Sequence, residues 1–143
     1  MSILSPATAR QPLGRAVARI ALGAVLAIAG IGHLTAQRDE FQAQVPDWVP
    51  FGKDFVVLAS GGVEIALGAA LIALPRRRKV VSWIVAAFFV AVFPGNIHQY
   101  VEHIDAFGLD TDQKRLTRLF FQPVLVLWAV AAGTGEVHSS KPR

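Results

Sequence analysis

The chain has 143 residues, 53% of them hydrophobic and only 17% charged, an apolar excess over a soluble domain that points to lipid as its solvent and, at this length, to a single domain. Its formal charge of +4 does not describe a nucleic-acid surface, because the basic residues stand beside hydrophobic runs, where they act as topology signals. With no cysteine, the chain's own side chains supply no disulfide, thiol relay or thiolate metal site, so any redox role rests on a bound cofactor or a partner.

Four stretches, 16–34, 55–74, 80–100 and 119–132, are apolar enough to cross a bilayer, which asks for about 20 residues per helix. The first brings Gly30, Gly32 and His33 to its far end. Its basic flank also resembles that of a signal peptide, but Leu34-Thr35-Ala36 is a poor cleavage sequence, and three further spans make a membrane protein either way. In the loop 35–54, Pro46 and Pro50 argue against regular helix and Trp48 suits an interface, so this segment is expected to lie on the membrane surface as a lid.

The second span stops at Pro75, and the basic turn Arg76-Arg77-Arg78-Lys79 makes the second and third spans an antiparallel hairpin. Toward the end of the third, Pro94 cannot donate to the carbonyl of Val90, which predicts a kink with free backbone groups just before Asn96 and His98. The loop 101–118 mixes Glu102, Asp105, Asp110 and Asp112 with Lys114, Arg115 and Arg118 and reads as a solvated charged surface. The fourth span is short, and is completed by Arg118 snorkelling to the interface and by extension through Gly133 and Thr134.

The expected fold is therefore all-α: a polytopic membrane protein with a four-transmembrane-helix bundle over the whole chain, 1–143. The positive-inside rule places the basic turn, the N-terminal Arg10, Arg15 and Arg19, and the tail with Lys141 and Arg143 on one side, giving cytoplasmic termini. That side collects nine Lys and Arg against the single acid Glu136, while the opposite loops hold five Lys and Arg and eight acids.

Ionisable groups at membrane depth are costly and mark candidate sites. Glu64 lies ten residues after Asp54, hence about 15 Å into the second span, with Ser60, Gly61 and Gly68 on the same helical face. It reads either as a proton relay or ligand anchor, or as a carboxyl that glues helices together. His33, Asn96, His98, Arg118 and Gln122 come from the other spans toward the same half of the membrane, with Glu64 as the floor beneath them, and this convergence predicts a cavity. A metal held by His33, His98 and Glu64 is chemically allowed, but Glu64 is expected half a membrane below the histidines, so no metal site is assigned. The chain has no phosphate-binding glycine loop, nucleophile elbow or zinc-protease motif.

In their order, Gly32-His33, Val45-Pro46-x-Trp48-x-Pro50, Ser60-Gly61-x-x-Glu64-x-x-x-Gly68, Phe93-Pro94-x-Asn96, and Arg118 with Gln122 resemble the DoxX-like family of small bacterial membrane proteins, from about Gly14 to Ala132. In one departure, proline follows the glutamine, as Pro123, where that family places it after the arginine. The resemblance implies a four-helix, redox-associated protein of the bacterial inner membrane, acting beside a partner oxidoreductase. His33 or His98 would then hold a quinone carbonyl and Glu64 would supply a proton. The alternatives are a module that binds or transports a small molecule or lipid, with four spans pairing with a second copy, and a purely structural subunit. Membrane lipids are partners in each case, and whether the chain catalyses a reaction is not decided by its sequence.

Overall fold

The structure is a computed structural model that describes residues 10–135; Glu136, Lys141 and Arg143 of the charge pattern lie outside the described residues. Its elements are α1 (Leu13–Leu34), α2 (Arg38–Gln44), α3 (Lys53–Ala73), a 3-10 turn (Pro75–Arg77), α4 (Arg78–Val101) and α5 (Asp112–Gly133). The four long helices have 22, 21, 24 and 22 residues, so each measures roughly 31 to 36 Å, enough to cross a hydrocarbon layer of about 30 Å. Composition agrees with length, and the protein is an all-α, multi-pass membrane bundle.

The surface and interior follow the logic of lipid. Large apolar side chains such as Ile28, Val90, Phe120 and Leu127 point outward, while Arg19, His33, Glu64, Asn96, Gln99 and Gln122 are buried. With no water in the surroundings, the polar groups find their partners only inside the bundle. The interior divides along its length. Leu22, Leu26, Leu71, Val85 and Ala129 form an apolar core in the half that carries the basic turn. The other half, beneath α2 and the α4–α5 loop, contains His33, Glu64, Asn96 and Gln122. We call these the basic end and the lid end.

Helices α1 and α3 pack most closely, α4 and α5 nearly as closely, and contact between α3 and α4 is sparse. The close approach of α1 to α3 rests on glycine. A Cβ on Gly30 would lie 2.6 Å from the Gly61 carbonyl oxygen, and one on Gly68 would lie 2.5 Å from that of Gly23. Such backbone-to-backbone contact, where lipid supplies no hydrophobic drive between helices, relies on small residues. At the basic end Arg19 turns inward to donate to the carbonyl of Leu71 and to Gln11 Oε1, and so satisfies the C-terminus of α3. The Trp128 indole donates to the Ala18 carbonyl at 2.9 Å, tying α5 to α1.

Two local features depart from the sequence reading. The loop 35–54 contains the helix α2, because Pro46 and Pro50 fall after it and leave 38–44 free to coil. As the third span requires, helix α4 continues through Pro94 to Val101. Helix α5 begins at Asp112, capped by the Thr111 side chain, which accepts from the Lys114 amide at 3.2 Å. Helix α5 thus adds polar turns ahead of the apolar run, extends through Gly133 as expected, and holds Arg118 within it.

The glycine contacts set a stability test. Gly68→Val forces α3 off α1 and should cost about 1 to 3 kcal/mol in thermal unfolding of the detergent-solubilised protein. Gly62→Val, where a Cβ meets nothing within 4 Å, should change stability by less than about 0.5 kcal/mol. Equal stability of the two variants would contradict the close approach.

Candidate functional site

One wall of the site follows from the crossing of Gly30 and Gly61. His33 lies three residues toward the lid end from Gly30, and Glu64 three residues toward the basic end from Gly61, about 9 Å apart along the axes. Side chains on a helix lean toward its own N-terminus. Because α1 and α3 are antiparallel, both side chains lean back toward the crossing, and His33 Nε2 comes to 3.4 Å from Glu64 Oε2. This corrects the expected separation of half a membrane between the two.

His33 Nδ1 lies 3.3 Å from the Val57 carbonyl, which can only accept, so Nδ1 carries hydrogen and Nε2 is turned to Glu64. Both residues are buried, at 7% and 8% exposure. The contact is an ion-pair distance and not a formed hydrogen bond, and Glu64 Oε2 is left buried without a hydrogen-bond partner. A buried oxygen in that condition costs about 1 to 3 kcal/mol.

The facing wall comes from α4 and α5. Asn96 Nδ2 donates to Gln122 Oε1 at 3.2 Å, and Gln122 Nε2 donates to the Phe89 carbonyl at 2.6 Å. Arg118, one turn before Gln122, donates to the same Oε1 at 3.3 Å. Among the described residues no carboxylate pairs with this half-buried guanidinium, so most of its five N–H donors have no protein acceptor.

A cavity of about 230 Å³ separates the walls, and His33, Glu64, Asn96, Arg118 and Gln122 all line it. His98 does not. It stands two residues beyond Asn96, roughly 200° around the helix, and lies toward Asp47, whose carboxyl is held below the usual range chiefly by the Lys53 ammonium that donates to it, with His98 adding a smaller contribution. Among the described residues no three His, Asp or Glu side chains come together to hold a metal ion.

The roof is α2. Phe41 packs on His33 with ring centroids 3.4 Å apart and planes tilted by 44°, and Phe107 packs against Phe41 at 4.7 Å. Arg38 donates through two nitrogens to Asp54, at 2.6 and 2.5 Å, and Gln42 adds a third donor at 2.7 Å. Gln44 donates to Gln99 at 2.6 Å, and Gln99 in turn donates to the carbonyls of Ile104 and Ala106. Phe41, Gln44 and Gln99 were missed in the sequence. The available signals were the three-residue spacing of Phe41 and Gln44, and Gln99 one turn after Asn96.

The family whose model matches the chain is described as Domain of unknown function (DUF8561), over residues 22–133. That range begins in the apolar core and contains both walls and the roof of the cavity. No curated protein and no solved structure matches the chain.

Proposed function

The chain belongs to this family of unknown function, and from its own geometry we propose that it binds a small lipophilic molecule with a hydrogen-bond-accepting head inside the membrane. The observation that carries the reading is the pair of unused groups in one cavity: the unpartnered Glu64 oxygen and the largely unused Arg118 guanidinium. Residues that only glue helices together would have satisfied each other. A ligand placed between them receives donors from Arg118 on one side and meets a proton-exchanging pair, His33 and Glu64, on the other.

A quinone suits this arrangement. One carbonyl oxygen accepts from Arg118, and the other faces His33 and Glu64. Reduction to the quinol takes two electrons and two protons; the pair relays protons, and the electrons come from a partner oxidoreductase, since the chain has no cysteine to carry them. The DoxX-like resemblance supports the same redox association in a bacterial inner membrane. The protein is on this reading the quinone-binding subunit of a membrane complex, with the basic turn and both termini cytoplasmic and the lid on the opposite side.

Native mass spectrometry with lipid extraction tests the ligand. Wild type should arrive carrying a quinone or another lipophile, and Glu64→Gln and Arg118→Met should each retain about tenfold less, a loss of roughly 1.4 kcal/mol. If all three are empty and equally stable, the chain is a structural subunit. The cysteine-free sequence gives a direct test of orientation with an impermeant maleimide. In intact cells Glu102→Cys should be labelled and Gly14→Cys should require permeabilisation; the opposite pattern would reverse the topology.

A further inference from the structure

Helices α3 and α4 are joined by the shortest connection between long helices, yet they touch sparsely. Where they part, toward the lid end, lies a second cleft of about 340 Å³. Val56 and Ser60 of α3 form one side, Phe88 and Ala91 of α4 the other, and Trp48 stands over it. These α3 positions are three and seven residues from its start, about 5 to 10 Å along the helix, so the deeper part of the cleft lies against the apolar length of α3. An apolar hollow at that depth suits an alkyl or isoprenoid chain.

The cleft and the polar cavity adjoin, because His33, Phe41, Gln44 and Val92 line both. On the other flank of α2, Phe41, Gln44 and Arg118 also line a separate hollow with Gln37, Phe107 and Leu109. Helix α2 thus sits at the junction of a polar chamber, an apolar side cleft and the loop surface. The chamber, with its carboxyl, imidazole and guanidinium, has the chemistry for a polar head; the side cleft, with aliphatic and aromatic walls, has that for an apolar tail.

We propose that the ligand is a membrane-resident molecule bearing an apolar chain, that it enters sideways from the bilayer between α3 and α4, and that its chain remains in this cleft while its head occupies the cavity. The inference rests on the ligand-binding reading above and adds to it the class of ligand and the route. A water-soluble molecule of the same head chemistry would leave the side cleft unfilled and bind more weakly.

The test compares two probes that share a dimethoxy-methyl-benzoquinone head, one without a chain and one with a decyl chain, by calorimetric titration of the full-length protein in detergent. Ala91→Trp fills the cleft from α4 and Ser60→Phe fills it from α3, and neither residue lines the cavity. Each probe partitions into micelles equally for wild type and variant, so their ratio isolates the cleft. Both variants should weaken the decyl probe about tenfold and leave the chainless probe unchanged, whereas Glu64→Gln should weaken both. Unaltered decyl binding in the two cleft variants removes the chain from the cleft, and with it the ground for a sideways route, while leaving the cavity reading intact. Failure of wild type to bind either probe overturns both.

Discussion

Where Gly30 meets Gly61, a Cβ on either glycine would come within 3.0 Å of the opposing carbonyl, so α1 and α3 hold a separation that only glycine permits at this crossing. Everything chemical in the bundle is measured from that point. Three residues to either side stand His33 and Glu64, and the antiparallel lean of helical side chains closes the remaining distance. A bulkier crossing would separate the imidazole from the carboxyl. The polar pair thus depends on a contact in which glycine lets backbone meet backbone and brings the His33 Cβ against Gly61.

A second closely packed pair, α4 with α5, carries the donors Asn96, Gln122 and Arg118. The functional geometry belongs to neither pair alone, because the cavity is the seam between them. Apolar packing of Leu22, Leu26, Val85 and Ala129 closes this seam at the basic end. At the lid end polar groups replace that packing and α2 covers the opening. Its exposed fastening, Arg38 with Asp54, is screened by solvent and contributes little, whereas Gln44 and Gln99 join it to the interior.

Much of this was legible in the sequence. Apolar runs gave four spans, the Pro75 stop and basic turn gave the hairpin, and the cost of polar groups in lipid singled out the five residues that do line one cavity. His98 was grouped with them by its depth, but depth does not determine which side of a helix a residue faces, and two residues beyond Asn96 is the far side. The depth of Glu64 relative to His33 was misjudged because position along the chain does not tell how two helices are offset, nor that their side chains lean toward each other. Helix α2 was hidden by its prolines, whose position after the helix is compatible with it. Phe41 and Gln44 could not be assigned to the site until that loop was seen to fold back over it.

The claim at the centre of this account is that Glu64 exchanges a proton with a ligand held opposite Arg118. Infrared difference spectroscopy on the reduction of the decyl-chain benzoquinone, in membranes containing wild type or Glu64→Gln, measures this directly. The account predicts a protein carboxyl band that changes on reduction in wild type, is missing from Glu64→Gln, and persists in Asp47→Asn, whose carboxyl lies in the lid loop. Identical difference spectra for wild type and Glu64→Gln would contradict it.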